Sequence, residues 1–325
     1  MSRLRKFISI SVGLALSVGL VGAVIYRSDI IDQFRVWQYQ PSSEIASLAD
    51  RASMSDSGKY YFYIAHPKLE AADEFNQECR RAEPASALLG CYKSGTETIH
   101  IYDVDDSSLD GVEEVTAVHE MLHVAYARLS QSEREELSPL LESAYAKVED
   151  DKLAERMDYY ERDQPGSREN ELHSILATEY ADIGDELEDY YKKYFIDRNK
   201  VVELYNSYNQ QFEYNESQAD QLATKLEAQR AQIDAAVGQY ESDMASLNQD
   251  IESFNQRAKS GEFTSQSEFA SQRTALQSRS DQLSATRVSL MSQIDAYNSD
   301  VETLNALGRE IERLNNSLDS MKAVE

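Results

Sequence analysis

The second half of the chain repeats in sevens. Apolar residues stand at Tyr205, Phe212, Ala219, Leu226, Ile233, Tyr240, Leu247 and Phe254, with Val201, Tyr208 and Leu222 in the complementary set. The pattern stops at residues 259–265. It resumes with Phe269, Leu276, Leu283, Leu290, Tyr297, Leu304, Ile311 and Leu318, with Ile294 and Val301 between them. A heptad repeat sustained this long is satisfied by long helices packed along one seam. Proline would break such helices, and none follows Pro165. Two tracts around one short polar break predict an antiparallel coiled-coil hairpin over residues 196–325, each arm roughly 80–100 Å long. Asn215, Gln229, Arg273, Ser280, Arg287 and Asn315 fall at expected seam positions. Polar residues there weaken the pairing, which leaves the hairpin open to a coiled-coil partner or a second copy of the chain.

The N-terminus is of another kind. Arg3, Arg5 and Lys6 precede an uncharged run over residues 7–26. As a helix that run rises about 30 Å, one bilayer core. Its basic flank stays cytoplasmic, so residues 1–27 are expected to be a transmembrane signal anchor, with everything after them extracytoplasmic. Val21-Gly22-Ala23 offers the rival reading of a cleaved signal peptide, but the apolar run continues past it through Val24, Ile25 and Tyr26. Residues 28–57 form a juxtamembrane segment. Its Ile31, Phe34, Trp37 and Tyr39 suit either the lipid interface or packing on the domain. The formal net charge of −26 argues against nucleic acid as a partner, since phosphates need a basic surface. The two cysteines, Cys79 and Cys91, suggest a disulfide in an exported chain, with unlinked thiols as the alternative.

Between these ends, residues 58–195 carry the chemistry. Residues 59–64 are aromatic and apolar and predict a first strand. Residues 69–81 predict a helix. Residues 88–92 and 98–104 predict two strands joined by a turn around Ser94-Gly95, the second alternating apolar and polar. Asp103, Asp105, Asp106 and Asp110 lack the spacing of a calcium loop and are better explained by capping and solvation. Asp110 stands three before Glu113, a capping-box-like start for a helix over residues 112–129. Ser130 with Glu133 opens another helix, with Pro139 near its middle or at a break. Residues 151–161 are helical, residues 162–167 a loop, and a further helix begins near Ser167. The fold class is therefore α+β and mostly α.

On the helix over residues 112–129 lies His119-Glu120-Met121-Leu122-His123. Histidines four apart lie on one helical face and can grip one cation, with the intervening glutamate beside the first as a general base. This HExxH arrangement resembles that of the zincin metallopeptidases. The resemblance implies Zn²⁺ on His119 and His123, Glu120 as base, and a strand just before the helix (residues 98–104) at the cleft edge, pairing with an extended substrate. Residues 124–129 lack the third histidine of the metzincin pattern, so the chain resembles a gluzincin, whose third ligand is a glutamate on a later helix. Asn170-Glu171-Leu172-His173-Ser174 is similar to that ligand segment. It implies Glu171 as third ligand, with Glu179 as runner-up. Glu179 and Asp182 are then candidates to fix a histidine through its free N–H. Glu169 and His173 are the other candidate ligands. His173 points away from the Glu171 face, and His66, before a proline, is more simply structural.

The function these residues imply is a membrane-anchored zinc endopeptidase acting on a protein or peptide outside the cytoplasmic membrane. The alternative is a catalytically idle zinc-binding envelope scaffold that acts through its coiled coil.

Overall fold

The computed structural model describes residues 27–79 and 87–322. The expected anchor over residues 7–26 lies outside them, as does the segment 80–86. Among the described residues no helix is long and apolar enough to cross a membrane. The chain divides into two compact units, residues 1–211 with 314–325, and residues 212–313.

The first unit is mostly helical, with one small sheet. Three short helices come first: α1 (Arg27–Gln38), α2 (Ser43–Arg51) and α3 (Asp56–Ile64). The last of these replaces the strand expected at residues 59–64. Ser55 caps it by accepting from the Gly58 N–H at 3.1 Å, and Phe62 and Ile64 turn into the core. Gly58 lets α3 approach the chain closely: a Cβ there would stand 2.3 Å from the Tyr194 carbonyl oxygen. An aromatic run without alternation had no strand period to begin with, and the serine cap decides for helix.

The sheet contains β1 (Lys68–Glu70), β2 (Gly90–Lys93) and β3 (Thr98–Tyr102) in the order β1-β3-β2. Helix α4 (Ala72–Glu78) follows β1, so the helix expected from residue 69 begins later, after a short strand. β1 runs parallel and β2 antiparallel to β3. The strand before the HExxH helix is thus central rather than at the edge. A non-local partner, Lys68–Glu70, takes one side of β3, and β2 is the edge strand on the other side.

A disulfide joins Cys79, at the end of α4, to Cys91 in β2, with a Cα–Cα distance of 5.9 Å and a separation of 12 residues. Closing a loop of that size contributes about 3 kcal/mol in the chain-entropy model. Replacing both cysteines by serine is therefore expected to lower the melting temperature, read by circular dichroism. An unchanged transition would mean that the bridge adds nothing.

Next come α5 (Val112–Ala127), α6 (Gln131–Val148), α7 (Asp151–Asp163), α8 (Arg168–Glu179) and α9 (Asp185–Tyr191). α5 is central to the core: Ala117, Val118, Met121, Leu122 and Val124 are fully buried, as are Leu172, Ile175 and Leu176 of α8. Each large side chain among them contributes about 1.5–3 kcal/mol by leaving water. Pro139 lies inside α6, which begins with the expected Ser130–Glu133 capping box and runs on without a break. The expected Asp110 cap of α5 is not formed. Gly111 takes the cap position at φ 103°, a backbone that favours glycine. The Asp110 carboxylate instead accepts from Arg51 at 2.8 and 2.9 Å.

Two long helices complete the chain, α10 (Asn199–Ser260) and α11 (Gln266–Leu318). The start of α10 belongs to the first unit, where Val201 and Val202 are buried in its core. The end of α11 belongs there too. Leu314 is buried, Ser317 donates to Asp106 at 2.8 Å, and Ser320 exchanges two hydrogen bonds with Asn76 of α4. In the second unit the helices run antiparallel, with Lys225 on Asp300 at 2.7 Å, Asp250 on Arg279, and Arg257 on Glu268 at 2.7 Å. Phe254, Phe263 and Phe269 close the end, with ring centroids 5.0–5.2 Å apart. The sevenfold positions Leu226, Leu247, Leu283 and Leu290 are buried. Arg273, Ser280 and Arg287 are exposed, contrary to expectation, and so is Asn315 of the first unit. In α11, Gln272 and Arg279, three residues after Phe269 and Leu276, are half-buried, whereas Arg273 and Ser280, four after, are exposed; farther along, Val301, four after Tyr297, is half-buried.

Candidate metal centre

The helix α5 sets the first three residues of the site. His119 and His123 lie one turn apart, their rings 4.7 Å between centroids in an edge-on arrangement. Ligand atoms of His119, Glu120 and His123 all lie within 4.8 Å of one another. The fourth residue comes from α8, which packs along α5. Its Glu171 is largely buried, and one carboxylate oxygen, Oε2, stands 3.7 Å from His119 Nε2 and 3.8 Å from His123 Nε2. Neither distance is a hydrogen bond. Two imidazole nitrogens and a carboxylate oxygen therefore converge without bonding to one another. Ligands about 2.0–2.2 Å from a tetrahedral ion stand roughly 3.3–3.6 Å apart, and the two Glu171–histidine distances exceed that spacing by only a few tenths of an ångström, so the residues fit Zn²⁺. The nitrogen and oxygen donor set also suits that metal.

Buried groups of both signs hold the charges here. Burial raises Glu171, but the charges of His123, His119 and Arg156 outweigh it and hold its carboxyl at about 2. Glu120 is shifted the other way. Burial and the negative charge of Glu171 raise its carboxyl, against the opposing pull of His123, His119 and a hydrogen bond from the Tyr92 backbone. A carboxyl with raised basicity beside a cation site is suited to take a proton.

His123 is oriented by a residue the sequence did not single out. Ser174 Oγ lies 3.3 Å from its Nδ1 and 3.4 Å from the Asn170 carbonyl oxygen. With Nε2 turned to the metal position, Nδ1 carries the proton and donates to Ser174, whose own hydroxyl proton goes to Asn170. The Asn170–Ser174 spacing of four was the available signal. Zinc titration is expected to find Ser174→Ala about tenfold weaker, at the low end for such an outer partner. Unchanged affinity would remove Ser174 from the site.

The other expected supporting residues stand elsewhere. Glu179 is paired through both carboxylate oxygens with Arg156 at 2.7 and 3.1 Å. It contributes charge to the site without a contact to either histidine being formed. Asp182 is exposed and paired with Lys147. The reason is the end of α8: the helix stops at Glu179, Tyr180 is extended, and Asp182 falls beyond the face that carries Glu171. Glu169 accepts from Tyr126 at 2.9 Å and from Ser138.

His173 is fully buried among Tyr126, Tyr190, Tyr191 and Tyr194, with Tyr190 Oη 3.1 Å from its Nε2. Burial holds it well below its usual pKa, so it stays neutral. His66 stacks on Tyr39 at 5.0 Å and meets the Arg35 carbonyl at 3.1 Å, a structural role.

The edge strand β2 lies against the same site. A Cβ on Gly90 would stand 2.6 Å from Thr116 Cγ2 and 2.9 Å from Glu120 Cγ. A side chain at this position would collide with Thr116 and Glu120, which pack against it. Leu89 accepts from the Tyr102 N–H at 2.8 Å. By the alternation of an antiparallel ladder, Cys91 and Lys93 then bond to β3, and the backbone groups of Gly90 and Tyr92 point away from it. Neither glycine nor tyrosine was marked by the sequence pattern, although a glycine inside a strand is a known sign of close approach.

No family model, no curated protein and no solved structure matches the chain.

Proposed function

We propose that the chain is a zinc-dependent endopeptidase of the gluzincin type. The observation that carries this reading is the convergence of Glu171 Oε2 on both histidine Nε2 atoms beside the buried Glu120. His119, His123 and Glu171 would hold the ion. Bound there, Zn²⁺ supplies Lewis acidity, polarising a peptide carbonyl and making a water acidic near neutral pH. Glu120 accepts the proton of the attacking water and returns it to the departing amine as the carbon–nitrogen bond breaks. Ser174 keeps the His123 ring in one tautomer throughout. β2 offers a strand edge to an extended peptide through the outward N–H and carbonyl of Gly90 and the carbonyl of Tyr92, whose N–H donates to Glu120, which favours a chain of several residues over a small ester or amide. Residues 7–26 anchor the protein in the cytoplasmic membrane with the site outside. The paired long helices are a coiled-coil hairpin that engages a partner or the substrate.

The test compares wild type with Glu120→Gln, using fluorescently labelled casein as substrate and zinc measured in both proteins. The reading expects equal zinc, chelator-sensitive cleavage by wild type, and a loss of about 10²–10⁴-fold in the variant, the range for a missing general base. Equal activity in both would overturn it. Bound zinc without cleavage by wild type would favour the idle scaffold.

A further inference from the structure

Helix α1 carries its polarity inside out. Two of its charged residues, Asp32 and Arg35, face the protein. Asp32 is buried and takes bonds from Arg128 at 2.6 and 2.9 Å. Arg35 donates to the carbonyl oxygens of Ile64 and Glu97, both at 2.6 Å. Tyr39, just past the helix, also turns inward and donates to the Pro67 carbonyl at 2.7 Å. Its large apolar residues face outward: Ile30 is 55%, Ile31 43%, Phe34 52% and Trp37 77% exposed. At about 100° per residue, Ile30, Phe34 and Trp37 share one stripe, Ile31 borders it, and Asp32 lies opposite. Four of the eleven large apolar residues exposed among the described residues fall on this one short helix, so the stripe is a patch and not scatter.

Folding of the unit does not account for that arrangement, since Ile30, Phe34 and Trp37 are not part of its core. Position in the chain does. α1 begins at Arg27, directly after the uncharged run of residues 7–26. If that run spans a bilayer, Trp37 lies within about 17 Å of the point where the chain leaves it. Aromatic and aliphatic side chains at that depth belong among lipid headgroups. The net charge of −26 leaves apolar insertion, and not attraction to anionic headgroups, as the means of contact.

We propose that α1 is an interfacial helix, seated with Ile30, Phe34 and Trp37 in the outer headgroup region of the membrane. This inference rests on the reading of residues 7–26 as a span. The Asp32–Arg128 pair ties α1 to the end of α5, so lipid contact at α1 fixes the orientation of the metal-site unit on the membrane surface.

Trp37 is the only tryptophan, so its fluorescence reports this helix alone. The full chain is reconstituted into phosphatidylcholine–phosphatidylglycerol vesicles, with and without lipids brominated near the headgroup. The expected result is emission to the blue of a solvent-exposed tryptophan, with loss of intensity in the brominated vesicles. Solvent-like, unquenched emission overturns the proposal. Blue-shifted emission without quenching also overturns it, and points to a second copy or to residues 1–26 as the cover. Alkaline carbonate extraction of the same vesicles tests the span separately. Release of a chain whose Trp37 had been quenched removes the span and keeps the lipid-facing helix.

Discussion

Replacing Glu171 by alanine is expected to weaken zinc binding by at least about 100-fold, because a group that only supports a ligand is already worth about 10–100-fold. The same change would release the two histidines from the carboxylate that faces both of them at 3.7 and 3.8 Å. Glu179→Ala should act differently. Its carboxylate is committed to Arg156, so its loss leaves a guanidinium without its partner and lowers the melting temperature more than it lowers zinc affinity. Metal titration by calorimetry, with a thermal melt on each variant, separates the two. If Glu179→Ala lost the metal and Glu171→Ala kept it, the third ligand would be Glu179.

A methyl group at Gly90 is expected to be nearly as damaging to turnover while leaving zinc in place. The added Cβ meets Thr116 at 2.6 Å and Glu120 at 2.9 Å, and both belong to the rigid, buried helix α5. Either the strand or Glu120 must move. Overpacking of this kind costs about 1–3 kcal/mol of stability, and a displacement of about 1 Å in a reacting group lowers rate by about 100-fold. Gly95→Ala is the control, since nothing lies within 4 Å of a Cβ there. Normal turnover in Gly90→Ala would show that β2 does not set the position of Glu120.

The clustering of His119, Glu120 and His123 was legible in the sequence because it depends on local periodicity. His119 and His123 four apart, and Glu171 on a later helix free of proline, need only the geometry of single helices. What surrounds that cluster depends on contacts between distant segments. Residues 98–104 alternate like a half-buried strand, yet nothing in them tells whether one side or both are paired. The partner that makes β3 central is three residues, Lys68–Glu70, in a stretch whose composition suits a helix. Asp182 illustrates the same limit. Helical spacing kept it near Glu171 only as long as the helix continued, and the helix ends at Glu179. In the long helices the sevenfold set was evident from Leu226, Leu247, Leu283 and Leu290. The complementary set of the second arm was not, because a spacing of three and one of four differ by one residue and the apolar signal there is sparse. For Ile31, Phe34, Trp37 and Tyr39 the sequence left both readings open; Tyr39 packs on the domain, against Tyr63 and His66, whereas Ile31, Phe34 and Trp37 are exposed.

The central claim is a metal centre built from two helices, and diffraction at the zinc absorption edge tests it most directly. Crystals of the full chain grown with zinc should give an anomalous peak bounded by His119 Nε2, His123 Nε2 and a carboxylate oxygen of Glu171, each about 2.0–2.2 Å away. A peak that leaves Glu171 out, or no peak between the histidines with zinc in excess, would contradict the account.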